Sequence, residues 1–395
     1  MAPRRKPFSD RPAAGDRPAA DRPRSLYVHV PFCRSRCRYC DFNSVVYDAG
    51  RAGRIVPALR AEMDRRLEGR QLSMRTAFIG GGTPSILPPG RLKTLLQAVA
   101  RRCRAGAEFT VEVNPDSLSG RALELLIRSG VNRLSVGVQS FVDQELAVLG
   151  RPHSARQARR ALLAARAAGL ENVSVDLIYG IPGQSLRSWQ DSLRQAIDLG
   201  VTHASCYGLS YPAGTAMAED LAAGRIEPMD DDLQQACYDL AIDLLGRSGL
   251  RQYEISNFAA PGYRCIHNIT YWKNRSYIGI GPGAVSYVDG WRSTNLADPD
   301  NYVRRIVAGA DPTASAERLA GRRHVAESLM LMLRMRPGVN RRVFQRRFGV
   351  DSLAAFEPAL ERHRQWGTVS ITSSSIRLSR KGLFVSDSVF ADLLV

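Results

Sequence analysis

Three closely spaced cysteines are the residues of this chain best suited to chemistry. Cys33, Cys37 and Cys40 follow a strand-like segment in the pattern C-x3-C-x2-C. Three thiolates on one short loop can each bind one iron of a [4Fe–4S] cube, and a cube held wholly by protein requires four cysteines. The remaining cysteines occur singly and far along the chain: Cys103, Cys206, Cys237 and Cys265. We therefore predict a cube with one open iron coordination position, where a small molecule can bind.

The same thiols could serve a structural zinc ion or disulfides instead. A zinc site usually pairs one C-x2-C unit with a second C-x2-C or an H-x3-H unit elsewhere in the chain. The sequence contains no such second unit. The spacing therefore favours an iron–sulfur cluster over zinc, and favours disulfides least.

Glycines and polar residues stand at the ends of several apolar runs further along the chain. The string GGGTPS, residues 80–85, ends the apolar run that follows the cysteines, and consecutive glycines let a backbone approach a ligand closely. Glu112, Gln139 and Asp176 are polar residues at the ends of the next three runs. If these runs are strands of one parallel barrel, their carboxyl ends meet at the face that carries function in such folds. We therefore expect these residues to surround one ligand site together with the cysteines.

The elements that would position these residues alternate between strand and helix. Six apolar runs predict strands: Leu26–Val30, Ala77–Ile79, Phe109–Val113, Leu134–Val138, Val173–Ile178 and Ala204–Leu209. Five amphipathic runs predict helices: Ile55–Leu67, Arg91–Arg102, Arg121–Ser129, Ala155–Ala168 and Leu186–Leu199. Gly130, Gly169 and Gly200 follow three of these helices, where glycine commonly ends a helix. Such alternation is typical of parallel βαβ units, so we predict an α/β fold with a partial (β/α)6 barrel.

The alternation stops near residue 215, and a different pattern follows. A helix is predicted over Asp231–Gly246, and a glycine- and aromatic-rich stretch extends from Tyr253 to Tyr287. The last part predicts two helices, a strand pair and a final helix: Ala316–Met335, Arg341–Phe348, Val369–Ile371, Ile376–Leu378 and Leu383–Leu393. This order outlines a small winged-helix-like α+β domain. We interpret it as a packing or lid module, because a fold alone does not indicate DNA binding.

The chain therefore divides into four predicted parts: a disordered basic tail over 1–24, a barrel with a helical extension over 25–255, a bridging segment over 256–310 and the winged-helix-like domain over 311–395. The composition of the tail cannot bury enough apolar surface to fold, and the tail lacks the apolar core of a secretory signal. No run of 18 apolar residues occurs, so we predict no transmembrane segment. We predict a cytoplasmic location, which also keeps thiols reduced.

The formal net charge of +17 raises the question of a nucleic-acid partner. Only four of the 55 basic residues are lysines, and the arginines are spread along the whole chain. Proteins that bind nucleic acids gather their basic residues on one face. We therefore expect a solvated basic surface and no nucleic-acid partner.

The motifs and their order resemble those of a known family. The cysteine triad and the GGG run resemble the radical S-adenosylmethionine (SAM) superfamily, in which the methionine moiety of SAM binds the open iron. The strings LYVHVPFC, GGGTPS, EVNPD, GVQSF and DLIYGIPGQ resemble the oxygen-independent coproporphyrinogen III oxidase family over about residues 25–395. This resemblance implies that the cluster is bound by Cys33, Cys37 and Cys40. It implies SAM contacts from Tyr27, Tyr39, Gly81, Gly82, Thr83, Glu112, Gln139, Arg151 and Asp176.

Two features separate this chain from the oxidases and make it resemble the haem chaperone branch of that family. The oxidases have a further cysteine two residues after the third cluster ligand, where this chain has Phe42. The string HNITYW, residues 267–272, is similar to an H-N-x-x-Y-W motif of the chaperones. Imidazole is a common iron ligand, and aromatic rings offer flat apolar faces to a porphyrin. The resemblance thus implies a haem site at His267, Tyr271 and Trp272.

The HNITYW string also has a structural interpretation. His267 and Trp272 could pack in the core or anchor a loop through hydrogen bonds, and Cys265 could compete as an iron ligand. Relatives often have a histidine where this chain has Val285, so the second axial ligand of a haem is left open.

Three functions follow from the residues and the resemblance. The first is a haem chaperone with a [4Fe–4S] cluster and SAM, which passes haem as cargo to apo-haem proteins. Some of these acceptors could lie at the membrane, where the chaperone would act as a peripheral protein. The second is oxidative decarboxylation of coproporphyrinogen III by a 5′-deoxyadenosyl radical, in which the cofactor carries the chemistry. The third, suggested only by charge and the winged-helix outline, is radical modification of a nucleic acid. Phe42 and the HNITYW string favour a carrier over an enzyme.

Overall fold

The computed structural model of the protein describes residues 22–67 and 73–394, so the predicted tail lies almost wholly outside the described residues. The strands within these ranges are β1 Ser25–Val30, β2 Phe32–Cys33, β3 Val45–Val46, β4 Met74–Gly81, β5 Cys103–Val113, β6 Arg133–Gln139, β7 Asn172–Tyr179, β8 His203–Gly208, β9 Arg251–Gln252, β10 Asn257–Ala259, β11 Ile278–Ile280, β12 Val285–Val288, β13 Trp291–Asn295, β14 Thr313–Arg318, β15 Val339–Asn340, β16 Val369–Ile371 and β17 Ser375–Leu378.

The helices complete the inventory of the described residues. They are α1 Ala49–Leu67, α2 Pro89–Ala100, α3 Gly120–Arg128, α4 Asp143–Val148, α5 Ala155–Ala167, α6 Leu186–Asp198, α7 Ala216–Ala222, α8 Asp231–Arg247, α9 Ile266–Trp272, α10 Pro299–Val307, α11 Gly321–Leu333, α12 Arg341–Phe348, α13 Ser352–Ala355, α14 Glu357–Gln365, α15 Arg380–Phe384 and α16 Ser386–Leu394. A short 3₁₀ turn, Pro84–Ile86, follows β4.

A nine-stranded sheet in the order β11-β1-β4-β5-β6-β7-β8-β10-β9 forms the centre of the molecule. The six consecutive strands β1, β4, β5, β6, β7 and β8 are all parallel. Helices α1, α2, α3, α5 and α6 connect them, and the strands are buried because helices cover one face of a parallel sheet and the barrel interior the other. The predicted α/β fold with a partial (β/α)6 barrel is confirmed.

Local sequence signals set the ends of the connecting helices. Helix α5 begins with a capping box, in which the Ser154 hydroxyl accepts the Gln157 N–H and the Gln157 side chain accepts the Ser154 N–H. Gly130, Gly169 and Gly200 have φ values of 87°, 86° and 66°. These left-handed conformations end α3, α5 and α6 where the sequence predicts, because glycine adopts them without strain.

Segments from the second half of the chain close both edges of this sheet. Strand β11 pairs in parallel with β1, so that Leu26 lies opposite Ile278. Strand β10 pairs antiparallel with β8 at the other edge, and β9 pairs with β10. The predicted bridging segment, 256–310, therefore contributes strands directly to the barrel sheet. It continues into an antiparallel sheet of β12, β13 and β14.

The C-terminal part packs three short strands, in the order β15-β17-β16, against helices α11 to α16. Two predicted helix boundaries are wrong here. The helix predicted from Ala316 begins only at Gly321, because residues 313–318 form β14 and pair with β13. The last predicted helix is two helices, α15 and α16, separated by Val385, which has a non-helical ψ of 27°.

No helix in the described part of the chain is long and apolar enough to cross a membrane.

Candidate functional site

The three predicted cluster cysteines lie on the segment that follows β1. Hydrogen bonds fix its backbone: the Tyr47 N–H donates to the Cys33 carbonyl over 2.8 Å, and the Cys40 N–H donates to the Cys37 carbonyl over 3.2 Å. All three cysteines are free thiols, and they line one cavity of about 360 Å³ at the carboxyl ends of the barrel strands. The structure thus brings the three sulfurs to a single space.

The arrangement of these thiols suits a cluster. Among the residues that the structure describes, no three His, Cys, Asp or Glu side chains converge closely enough to hold one metal ion. A cube binds each protein thiolate to a different iron, so its ligands surround a volume and need not meet at a point. Arg151 donates from Nη1 to the Cys37 sulfur over 3.3 Å and places a positive charge beside the triad. The donor set therefore fits a [4Fe–4S] cube.

The cavity also brings together most of the predicted SAM contacts. Seven of the nine line it: Tyr39, Gly81, Gly82, Glu112, Gln139, Arg151 and Asp176. Of the other two, Tyr27 lines the adjoining cavities, and the Thr83 hydroxyl lies 3.9 Å from the Cys33 sulfur. The structure thus brings eight of the nine to the walls of these cavities and the ninth, Thr83, beside a cluster cysteine. The role of each residue stays a prediction.

The glycine run after β4 passes close to other backbone. Gly81 has a φ of 107°, which favours glycine, and its N–H donates to Glu112 Oε2 over 3.0 Å. A Cβ atom on Gly82 would collide with the Phe32 carbonyl oxygen. The Thr83 N–H donates to that same oxygen over 2.6 Å. Gly81 and Gly82 therefore cannot be replaced by residues with a side chain. Their bare backbone lets a ligand approach closely beside the cysteines.

Two buried carboxyl groups face the cavity from neighbouring parts of the barrel. Burial, and then the charge of Asp176, raise the pKa of Glu112 to about 8. Burial also raises the pKa of Asp176, although the Ser135 hydroxyl donates to it over 3.2 Å. Arg133 is 2% exposed inside the barrel and lowers both pKa values only partly. Arg133 thus offsets these carboxyl groups only in part, and a ligand with an ammonium group would supply further positive charge beside Glu112.

Gln139 and Arg151 complete this face. Gln139 has a φ of 67°, an unusual value for a residue with a side chain, at a register shift between β6 and β7. Such strain is commonly found at functional sites. Arg151 Nη2 donates to Asn114 Oδ1 and to the Gly137 carbonyl, each over 2.7 Å. Arg151 Nε is buried without a partner among the described residues, so this guanidinium retains a donor for a ligand.

Two larger cavities adjoin the first. One of about 850 Å³ extends from the barrel mouth toward the C-terminal domain, and one of about 520 Å³ lies inside the barrel. Phe42 and Glu112 line all three cavities. The Phe42 side chain is 62% exposed, although aromatic residues usually bury most of their surface. Phe42 therefore stands as an apolar face at the junction of the three spaces.

The HNITYW string forms helix α9, and its histidine is enclosed. His267 is 0% exposed, and its ring nitrogens are hydrogen-bonded to the Thr76 hydroxyl over 2.9 Å and to the Tyr271 hydroxyl over 2.8 Å. Burial, and then the charge of Arg133, lower its pKa to about 3. In this conformation His267 offers no free nitrogen to an iron, and it holds Tyr271 at the wall of the 850 Å³ cavity. Its role as a haem ligand stays a prediction.

Two further residues of the predicted haem site have defined surroundings. Trp272 lines the 520 Å³ cavity, and its Nε1 is buried without a partner among the described residues. The Arg334 guanidinium lies 4.3 Å from the centre of its ring. Cys265, the competing ligand, is fully buried, and its sulfur lies 3.7 Å from Glu108 Oε1. Trp272 therefore faces a cavity, whereas Cys265 lies in the core.

Sequence reasoning missed residues that shape the site from within the barrel. Ser135 and Tyr207 line the 360 Å³ cavity. Glu108 accepts the N–H groups of Ile266 and His267 over 2.8 and 2.9 Å, and so fixes the start of α9. The only available signal was a two-residue alternation along β5, β6 and β8, because these polar residues lie within or next to apolar runs.

Comparison with known proteins agrees with this arrangement. Residues 27–196 match the model of the radical SAM superfamily, and residues 319–385 match the HemN C-terminal domain. The heme chaperone HemW of Bacillus subtilis is 33% identical over 375 residues, which cover 94% of this chain and 99% of that protein. This chain belongs to the HemW family within the radical SAM superfamily. The resemblance predicted from the motifs is thereby confirmed.

Other relatives extend the family. HemW of Mycobacterium tuberculosis is 36% identical over 82% of this chain and 84% of that protein. A mouse protein, radical S-adenosyl methionine domain-containing protein 1, mitochondrial, is 35% identical over 94% of this chain and 87% of that protein. The solved structure of coproporphyrinogen III oxidase (HemN) from Escherichia coli shares the fold, with a TM-score of 0.82 at 21% identity over 95% of this chain and 90% of that one. Membership of the superfamily implies a [4Fe–4S] cluster and SAM as cofactors.

Proposed function

We propose that this protein is a haem chaperone, which binds haem and passes it to apo-haem proteins. One observation carries the proposal: the similarity to proteins named heme chaperone HemW extends over nearly the full length of both chains. The barrel and its cofactor site are common to carriers and enzymes of the superfamily, so the fold alone does not separate the two.

We assign the cofactors to the 360 Å³ cavity. Cys33, Cys37 and Cys40 would bind three irons of the cluster, and the cluster with SAM supplies one-electron chemistry when bound. Gly81 and Glu112 would bind the methionine amine, because a backbone carbonyl and a buried carboxylate both favour an ammonium group. Three other predicted contacts would orient the remainder of SAM: Asp176 at the ribose, Arg151 at the carboxylate and Gln139 through its amide.

We assign haem, as cargo, to the 850 Å³ cavity beside the cofactors. Its wall includes Tyr271, Tyr277, Met330 and Leu331, which offer apolar surface to a macrocycle. The Arg323 side chain lines the same cavity, is 70% exposed and pairs with Glu317 over 3.1 Å, and it would exchange this partner for a propionate. His267 would act here through Tyr271, whose hydroxyl it binds.

Phe42 favours a carrier over the oxidase alternative. It occupies the position at which the resemblance to the oxidases would predict a cysteine, and it presents a broad apolar face at the junction of the cavities. A flat, finished macrocycle can stack on such a face. Decarboxylation of coproporphyrinogen III would instead require a flexible substrate to meet a radical at this point.

The proposal is tested by purifying the protein anaerobically and measuring two activities in parallel. We expect haem binding near one per chain and transfer of that haem to an apo-haem protein. We expect no conversion of coproporphyrinogen III when SAM and a reductant are supplied. Release of carbon dioxide from coproporphyrinogen would favour the oxidase, and failure to bind haem would refute the chaperone.

The acceptors and the location of the protein remain proposals. We propose acceptors at the membrane among the partners, because a net charge of +17 favours approach to an anionic surface. A cytoplasmic protein with peripheral membrane contact could then deliver haem to these acceptors. Binding to vesicles with and without anionic lipid, at two salt concentrations, tests this part, and equal binding to both vesicles would refute it.

A further inference from the structure

One histidine differs from all the others in this protein. All six lie in the described part of the chain, and five are buried, with at most 6% of their surface exposed: His29, His153, His203, His267 and His363. His324, in the first turns of α11, is only half-buried. It lines a cavity of about 820 Å³ that is separate from the cofactor site. His324 is therefore the imidazole that a ligand can reach without unfolding the core.

The cavity around His324 has the size and walls of a site for a large planar molecule. Its volume of about 820 Å³ lies within the ~300–1,000 Å³ typical of cofactor and ligand sites. Aromatic side chains from three elements line it: Tyr287, Phe348 and Phe356. The His324 ring stands edge-on to Phe348, with ring centres 5.4 Å apart. An imidazole, a common ligand of haem iron, thus lies in the wall of a cavity that also has three aromatic side chains.

The hydrogen bonding of His324 suits a metal ligand. Its Nε2 and the Tyr287 hydroxyl lie 2.9 Å apart, so Nε2–H can donate to the phenol oxygen. The Nδ1 lone pair is then available to a ligand in the cavity, and Nδ1 has no hydrogen bond to any described residue. Metal-binding histidines commonly donate their second nitrogen to such a partner. Burial, and then the charge of Arg347, lower the pKa of His324, so the ring is neutral at pH 7.

The charges around the cavity complement two carboxylates. Three arginines line it, Arg275, Arg322 and Arg347, against one carboxylate, Asp289. Arg275 and Arg322 are exposed at the rim. The Arg322 guanidinium lies 5.1 Å from the centre of the Phe356 ring and donates to the Ala355 carbonyl over 3.1 Å, which holds it beside the aromatic wall. The cavity thus combines exposed arginines with an aromatic wall, and these complement the carboxylates and the flat ring of a haem.

This cavity adjoins the proposed haem cavity beside the cofactors. Asn274 and Tyr287 line both cavities and so lie between them. The outer cavity lies between the turn of the β12–β13 hairpin and the helices α11 to α13, away from the cysteine loop. We propose that the His324 cavity is a second haem site, an exit site in which His324 binds the iron and the rim arginines bind the propionates before handover. This inference rests on the proposed chaperone function.

The test uses the full-length protein, prepared anaerobically with its cluster. Ferric haem and iron-free protoporphyrin are titrated separately, and the rate of haem transfer to an apo-globin is measured. His324→Gln removes the ligand and keeps a hydrogen-bonding group for Tyr287. Arg275→Gln combined with Arg322→Gln removes the rim charges. Arg364→Gln, which removes an arginine paired with Glu361 outside the cavity, is the matched control.

We expect His324→Gln to lose the histidine–iron component of the haem spectrum. We also expect it to transfer haem at least about tenfold more slowly. Loss of a hydrogen-bonding partner of a metal ligand already costs about 10–100-fold in metal affinity, and this variant loses the ligand itself. Its binding of iron-free protoporphyrin should equal that of the unmodified protein. The double arginine variant should bind both porphyrins more weakly, and the control should behave as the unmodified protein.

The outcomes separate this inference from the proposed function. If the unmodified protein binds no haem, the chaperone proposal itself fails and the exit site with it. If it binds and transfers haem, and His324→Gln keeps the same spectrum and rate, the exit site alone is refuted. An equal loss in the Arg364→Gln control would also refute it, because the effect would then reflect general surface charge.

Discussion

Replacing Glu112 by Gln should stabilise the empty protein and weaken its binding of SAM. In the absence of a cationic ligand, the pKa of Glu112 is raised to about 8, against an ordinary value of 4.5. Between these pH values the unfolded chain is ionised at this position while the folded protein retains the proton. The stability contribution of Glu112 is therefore complete below pH 4.5 and is lost as the pH rises through 8. At ~1.36 kcal/mol per pH unit, the loss is on the order of 5 kcal/mol.

The glutamine variant removes this dependence, because its amide has no proton to lose in this range. Urea unfolding of the cluster-free protein at several pH values measures the difference in the free energy of unfolding. We expect the free energy of unfolding of the variant to exceed that of the unmodified protein by several kcal/mol at pH 8 and by little at pH 4.5. Glu124→Gln, at a position 65% exposed on α3, is the control and should change nothing.

Binding of SAM provides the second half of the same prediction. At pH 7 the Glu112 carboxyl is mostly protonated, and an ammonium group beside it would expel the proton. Calorimetry in two buffers with different ionisation enthalpies should show release of close to one proton per SAM. Glu112→Gln should lose that release and bind SAM weaker by ~1–3 kcal/mol, the cost of leaving a buried charged group without its partner. Unchanged proton release and affinity in the variant would refute the reasoning.

Three further predictions concern the cluster and haem. Cys33→Ala, Cys37→Ala or Cys40→Ala should abolish the iron–sulfur absorption of reconstituted protein, whereas Cys103→Ala and Cys237→Ala should retain it; zinc in place of iron after anaerobic preparation would contradict the assignment. His267→Ala should disturb haem binding and lower the free energy of unfolding by ~1–3 kcal/mol in urea titration, because the Thr76 and Tyr271 hydroxyls lose their buried partner. Phe42→Ala should weaken haem binding with stability unchanged within ~0.5 kcal/mol, since the side chain is exposed; unaltered haem affinity would exclude Phe42 from the site.

The barrel could be predicted from the sequence because its strands and helices carry local signals. A parallel strand buried on both faces appears as a short apolar run, and a covering helix appears as an amphipathic run ended by glycine. Strand β7, predicted over Val173–Ile178 and found over Asn172–Tyr179, shows how closely such signals locate an element. The sequence also indicated that Glu112 and Asp176 lie near the cysteines, since both line the same cavity, whereas their role in binding a ligand stays a prediction.

The second half of the molecule could not be predicted in the same way. Strand β11 has three residues and is stabilised by β1, which precedes it by about 250 positions, so its own sequence contains no sufficient signal. Residues 313–318 have an ambiguous composition and become a strand only by pairing with β13. His324 was missed for a related reason, since its exposure depends on where distant segments leave a cavity.

The pairing of β1 with β11 also has a consequence for synthesis of the chain. Strand β1, which precedes the cysteines, is synthesised before its neighbour β11, which follows some 250 residues later. At ~5–20 residues per second this delay is on the order of 10–50 s. Throughout it, one edge of the nascent barrel stays unpaired, and the thiols of Cys33, Cys37 and Cys40 lie next to that open edge. The edge of the barrel beside the cysteine loop is thus completed only after β11 has been synthesised.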